Sequence, residues 1–232
     1  HLALSDRSCY NIGRHNVEKE ALTQLGKKVL LCDFDPQANA TSGLGVKKST
    51  GKPTVYDVII NETDPSQAIV HTTYGDLLPS GPDLAGACIE LVSLSRREFR
   101  LKDALTPLKS EYDLILIDCP PSLELLTLNA LCAADQVLIP VQCEYYALEG
   151  LSDLMATLRA VKRAYQPKIG IFGLLLTMYD GRTNLSMQVA QEVRRKDGKL
   201  QRHLLHIGLH VGVGVAEDIA LIGGQRGEGG ID

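Results

Sequence analysis

The chain has 232 residues, 44% hydrophobic and 22% charged, with a formal net charge of -4. These proportions exclude a disordered chain and suit one sizeable α/β domain. No apolar run approaches the roughly 18 residues of a membrane span, and the opening HLALSDRSCYNIGRHNVEKEA lacks the pattern of a secretory signal, so the expectation is a cytoplasmic protein with no membrane contact.

The six cysteines, Cys9, Cys32, Cys88, Cys119, Cys132 and Cys143, form no CxxC pair and no Cys/His cluster. Zinc, iron–sulfur ligation and a disulfide framework are therefore not expected. The net charge hides an asymmetry. From Arg159 to Arg202 there are ten Lys/Arg (159, 162, 163, 168, 182, 194, 195, 196, 199 and 202) against the acids Asp180, Glu192 and Asp197. Such a run fits a phosphate-bearing partner, and equally a solvated helix face.

In chain order, residues 1–20 show no strand-length apolar run, although a parallel sheet ordinarily begins with one. KVLLCDF (28–34), YDLILID (112–118), DQVLIPV (135–141) and KIGIFGLLLT (168–177) read as strands apolar on both faces, as central parallel strands are. Helical periodicity predicts helices over 83–108, 123–133, 147–164 and 183–195. Alternation of strands and helices predicts an α/β fold with a mostly parallel sheet between helices on both faces. Residues 201–232, dense in Gly and His, read as loop or disorder.

In open parallel sheets ligands bind outside the carboxyl ends of the strands. LILIDCPPS delivers Asp118 to that edge before Pro120 and Pro121 turn the chain. This is the layout of a Walker B segment, whose carboxylate holds the water shell of a nucleotide-bound Mg²⁺, and also of a turn aspartate at a strand end. LLCDFDPQANATS delivers Asp33 and Asp35 with one residue between them, predicting that both face one side. A carboxylate there can orient a water for phosphoryl transfer; a cap before the turn is the plain alternative.

GKKVLLCDFDPQANATSGLG, LLPSGPDLAGACIELV, YDLILIDCPPSLELLTLNALCAADQVLIPVQCEYYALEGLSDL and GLLLTMYDGRTNLSMQVAQEVRR cover most of residues 25–195. Through them the chain resembles ParA/Soj-type chromosome and plasmid partitioning ATPases, of the deviant-Walker P-loop group that also contains MinD. The resemblance implies a three-layer P-loop NTPase-like fold, ATP and Mg²⁺ as cofactors, and an ATP-dependent sandwich homodimer. It further implies contact with non-specific duplex DNA, a ParB-like centromere-binding partner and a cytoplasmic, nucleoid-associated location. By the same resemblance Asp35 positions the hydrolytic water, Asp33 lies beside the Mg²⁺ region, Asp118 is the Walker B aspartate, and Met178 and Asp180 stand where the adenine base is contacted. Arg182, Arg194, Arg195 and Lys196 match the region that meets DNA.

The group's defining loop, KGGVGKT, is expected upstream of the Asp33 strand, where SDRSCYNIGRHNVEKEALTQL stands instead. Gly45 to Pro53 is no substitute: five residues separate its glycines, Pro53 replaces the hydroxyl residue, and no apolar strand precedes it. Without the loop's donors, phosphoryl transfer loses its main electrostatic stabilisation. The chain divides into an off-pattern segment 1–20, an ATPase-like domain 21–200 and an off-pattern tail 201–232. Loss of pattern at both ends predicts a truncated or frame-shifted product, with genuine divergence as the alternative. The expected function is a partitioning-type ATPase defective in hydrolysis. The alternatives are a nucleotide-independent DNA- or partner-binding remnant, and a non-functional product destabilised by lack of a central strand. His203, His206 and His210 have the spacing of one helical face, as metal ligands could, with solvent-facing histidines as the plainer reading.

Overall fold

The computed structural model describes residues 2–5, 26–48, 51–120, 125–142, 147–180, 182–184, 186–189, 191 and 204–208. In chain order these form β1 (Leu2–Ser5), β2 (Val29–Asp33), α1 (Asn39–Gly43), α2 (Val55–Ile60), α3 (Pro65–Ala68), β3 (Val70–Thr72) and β4 (Gly75–Leu78). There follow α4 (Leu84–Glu90), α5 (Arg100–Leu105), β5 (Leu114–Cys119), α6 (Leu125–Ala133), β6 (Gln136–Gln142), α7 (Ala147–Ala164), β7 (Gly170–Tyr179) and β8 (Leu204–Gly208). The described strands make one sheet of order β3-β4-β2-β5-β1-β6-β7-β8. Only the β3–β4 pair is antiparallel; the others are parallel.

The three-layer α/β expectation holds, and its physical basis is visible in β2. All five residues are buried, with side chains alternating between two cores. Leu30, Cys32 and Phe34 pack with Ile115, Ile117 and residues of α2, α4, α5 and α6. Val29 and Leu31 pack with Leu116 of β5, Leu77 of β4, and Ala40 and Leu44 in and beside α1. A third cluster joins β6 and β7 to the apolar stripe of α7 through Leu154, Leu158 and Val161.

Four expectations are corrected. Residues 2–5 do form a strand, and it is central: β1 lies between β5 and β6, with Leu4 opposite both Asp118 and Leu138. Four residues carry little periodicity, but two neighbouring strands with unpaired backbone groups supply partners on both sides. The central strand is thus present, against the reading in which the sheet lacks one. At the other end Leu204–Gly208 pairs in parallel with β7, so this part of the tail is neither loop nor helix. His206 therefore lies in a strand, and the single helical face proposed for the three histidines fails there; His203 and His210 fall outside the described residues.

The helix expected over 83–108 is broken. Its pieces are α4, a 3₁₀ turn Leu91–Ser93, α5 and a 3₁₀ turn Pro107–Ser110, with Arg96 at φ 53° between them. Buried Asn129 of α6 holds the break open. Its Nδ2 donates to the Arg97 carbonyl at 2.8 Å and to that of Leu125 at 3.0 Å, while its Oδ1 accepts from the Leu101 amide at 3.2 Å. The bonds to Arg97 and Leu101 satisfy backbone groups that a continuous helix would have paired internally.

Candidate nucleotide-binding edge

β2 and β5 end side by side, and their register pairs Asp33 with Asp118. The Phe34 amide donates to the Asp118 carbonyl at 2.7 Å, which extends the pairing past the strand end. β1 runs alongside, so that Ser5 is level with Cys119 and the chain leaves the sheet beside the two carboxylates. The strand that should lead into a phosphate loop is thus in place, and the sequence after it is DRSCYNIG.

Asp33 at the end of β2 and Asp35 just past it differ sharply in burial. Asp33 is fully buried. Its Oδ2 accepts from the Thr41 amide at 2.7 Å and the Thr41 hydroxyl at 2.6 Å, and its Oδ1 from the Asp35 amide at 3.3 Å. With two donors on Oδ2, any proton belongs on Oδ1. Burial first, then the negative charge of Asp118, push this carboxyl up to about 7, against the lowering effect of the Thr41 bonds.

Asp35 lies past the strand end, half-exposed, in a turn of its own making. Its Oδ1 accepts from the Gln37 amide at 2.9 Å, and its carbonyl from the Ala38 amide at 2.9 Å. Ala38 takes φ 51°, a left-handed conformation unusual for a residue with a Cβ.

Across the sheet, Met178 lies near the end of β7 and Asp180 follows it. Arg182 grips Asp180 with Nε–Oδ1 at 2.9 Å and Nη2–Oδ2 at 2.8 Å, and donates its own amide to Oδ1 at 3.0 Å. These bonds, the side-chain ones first, hold the Asp180 carboxyl down at about 2. Asp33, Asp35 and Asp118 are brought together; Asp180 and Arg182 form a separate pair beyond β6 and β7. Arg194, Arg195 and Lys196 lie outside the described residues, as do Cys9 and Cys143. Cys32, Cys119 and Cys132 are buried and Cys88 is half-buried. Burial pushes the thiols of Cys32 and Cys119 up.

The donor set fits Mg²⁺ better than any transition metal, because it offers hard carboxylate oxygens. Among the described residues no three His, Cys, Asp or Glu side chains converge as an all-protein cage. Mg²⁺ does not require one, being commonly held by one or two carboxylates together with water and phosphate oxygens.

Sequence reasoning missed Thr41 and Ser80. The buried Ser80 amide donates to Thr41 Oγ1 at 3.0 Å, and Ser80 Oγ donates to the Asp35 carbonyl at 2.8 Å. No local pattern reveals a bond between residues 39 positions apart.

Comparison with known proteins bears on this edge. An AAA domain family matches residues 17–171, a match that begins within the segment between β1 and β2. The chromosome partitioning protein ParA of Myxococcus xanthus is 54% identical over 177 residues, which are 75% of this chain and 62% of that protein. The sporulation initiation inhibitor protein Soj of Bacillus subtilis is 54% identical over 176 residues, 75% of this chain and 70% of that protein. The chain thus spans less than two thirds of the length of the Myxococcus relative. Among solved structures, cobyrinic acid a,c-diamide synthase from Mycobacterium smegmatis with bound ADP and magnesium superposes with a TM-score of 0.79 at 38% identity, over 86% of this chain and 82% of that one. Over its matched length, the sheet with its edge of paired aspartates belongs to the ParA/Soj family of partitioning ATPases.

Proposed function

We propose that this chain is the ATPase core of a bacterial chromosome or plasmid partitioning protein whose carboxylate half-site is built and whose phosphate-binding half is missing. The observation that carries the reading is the pairing of Asp33 with Asp118 at adjacent strand ends beside β1. In this reading Asp118 holds the water shell of Mg²⁺, Asp33 lies beside the Mg²⁺ region, and Asp35 orients the attacking water from the more exposed turn. Mg²⁺ would neutralise phosphate charge there. Met178 and Asp180 form the base-contacting edge, and ATP supports a sandwich dimer.

Partitioning is favoured over the chemistry of the mycobacterial synthase because the ParA and Soj relatives are 54% identical and that structure 38%. Between β1 and β2 the glycines are Gly13 and Gly26, with no Gly-rich run and no Gly-Lys-Thr. Several donors to the β- and γ-phosphates are therefore absent, each worth about 2.7–4 kcal/mol in comparable sites, and no detectable ATP turnover is expected. Mg²⁺-dependent hydrolysis that disappears in Asp35→Ala would overturn this.

A second reading, a nucleotide-independent DNA- or partner-binding remnant, is favoured by one observation. Arg159 and Arg163 are exposed on α7, and Arg182, Arg194, Arg195 and Lys196 follow in sequence. It expects binding to duplex DNA without ATP, weakening steeply with salt. Absence of binding at low salt removes it. Contact with DNA and with a ParB-like partner, and a cytoplasmic, nucleoid-associated location, belong to the partitioning reading; no helix among the described residues is long and apolar enough to cross a membrane.

A further inference from the structure

We propose that Thr41 and Ser80 are positioning residues: a hydrogen-bonded latch through which buried Asp33 and the turn after β4 fix the main chain of Asp35. The functional meaning of the latch rests on the reading above, in which Asp35 orients the attacking water; its existence rests on geometry alone.

Every donor in the latch is fixed, and Ser80 donates in both directions. Thr41, on the short helix α1, spends its only hydroxyl proton on Asp33 Oδ2 at 2.6 Å, which leaves its oxygen as acceptor for the Ser80 amide at 3.0 Å. Ser80 then spends its own hydroxyl proton on the Asp35 carbonyl at 2.8 Å. Thr41, Ser80 and Asp33 are all fully buried, which shields the Thr41–Asp33 and Ser80–Thr41 bonds from water.

Satisfying Asp33 does not require Ser80. The Thr41 amide and hydroxyl already supply two donors to its Oδ2, and Ser80 does not bond the carboxylate. Its amide instead bonds the Thr41 hydroxyl oxygen on α1, and its Oγ bonds the Asp35 carbonyl, which also receives the Ala38 amide. The Asp35 turn carries Ala38 at φ 51°, a strained conformation that persists where surrounding contacts over-determine it.

The far side of the latch is anchored too. The Pro79 carbonyl accepts the Val55 amide at the start of α2 at 2.9 Å, and the Gly81 carbonyl accepts the Leu84 amide at the start of α4 at 3.1 Å. A Cβ on Gly81 would stand 3.1 Å from the Lys48 carbonyl, so the segment after α1 closes on this turn. Lys48 Nζ donates to the Gln37 carbonyl from the same segment. Asp35 is thereby referenced to two helices and a neighbouring strand end, rather than to β2 alone.

The test is residue-resolved amide hydrogen exchange of the full chain, comparing Ser80→Ala, Thr41→Val and Thr41→Ser with the parent. Ser80→Ala is expected to speed exchange at Gln37 and Ala38 by about three- to tenfold, the effect of losing one net hydrogen bond, with Leu31 and Ile117 unchanged. Thr41→Val is expected to add the Ser80 amide to the accelerated set, and Thr41→Ser to restore protection. Unchanged turn amides, an equal rise at Leu31 and Ile117, or no rescue by serine would each overturn the latch. If Thr41→Val does not fold, Ser80→Ala decides alone. No nucleotide enters the measurement, so a chain that fails to bind ATP defeats the functional reading while leaving this result standing.

Discussion

Asp33 and Asp118 face each other across adjacent parallel strands, one fully buried and hydrogen-bonded, the other half-exposed at the same sheet edge. Two carboxylates so placed cannot both ionise cheaply, and the buried one holds its proton up to about pH 7. In the unfolded chain the same aspartate ionises near 4.

A stability trend follows, with its sign set by proton counting. Between about pH 4 and pH 7 the folded chain binds more protons at Asp33 than the unfolded chain, so stability falls as pH rises through that window and levels off above it. The slope due to this group reaches at most about 1.4 kcal/mol per pH unit. Denaturant midpoints measured from pH 5 to pH 8 should show the fall in the parent chain and lose it in Asp33→Asn. Equal slopes in the two chains would remove the buried-acid assignment.

The opposite sign is expected at the other end of the sheet. Tyr112 Oη donates to Asp76 Oδ2 at 2.6 Å, and His71 Nδ1 meets Asp76 Oδ1 at 2.6 Å. Burial pushes the Asp76 carboxyl up, but Tyr112, His71 and Lys28 outweigh it and hold the group below its usual range. Its contribution to stability is present above the ordinary aspartate pKa and lost as pH falls through the lowered folded value. Tyr112→Phe should cost about 1–2 kcal/mol at neutral pH and less in acid, read from urea unfolding at two pH values.

Asn129 offers a test of the helix break. Asn129→Ala leaves the buried Leu101 amide and the part-buried Arg97 carbonyl without their side-chain partner. A loss of about 2–4 kcal/mol in unfolding free energy is expected, well above a typical surface change. A loss under about 0.5 kcal/mol would mean that the break is set by the 91–99 segment itself.

These elements also mark where the sequence was legible. β2 and α7 were readable because each carries its own pattern: β2 is apolar up to Asp33, and α7 presents Leu154, Leu158 and Val161 as one stripe. The carboxylate edge was readable because an apolar run ending in Asp is local text. β1 and β8 were not, since segments of four and five residues are defined by neighbouring strands rather than by their own pattern. The helix break depends on Asn129, which lies 28 positions from the Leu101 amide it accepts. The Thr41–Ser80 contact was hidden for the same reason.

The position of β1 allows a disabled nucleotide site to be separated from an absent one. Because β1 already lies between β5 and β6, repair needs no new strand, only a new segment after Ser5. Replacing residues 6–13 by KGGVGKTT supplies the backbone donors, the lysines and the hydroxyls that phosphate binding needs beside Asp33 and Asp118. Equilibrium titration with a fluorescent ATP analogue and Mg²⁺ should then show binding in the repaired chain and none in the parent, with Asp118→Asn in the repaired chain weakening it about tenfold or more. Equal binding by the parent would mean that its own 6–25 segment contacts phosphate in a way its composition does not announce. Binding by neither would mean that the paired aspartates are structural and that the partitioning reading must rest on DNA or partner contacts instead.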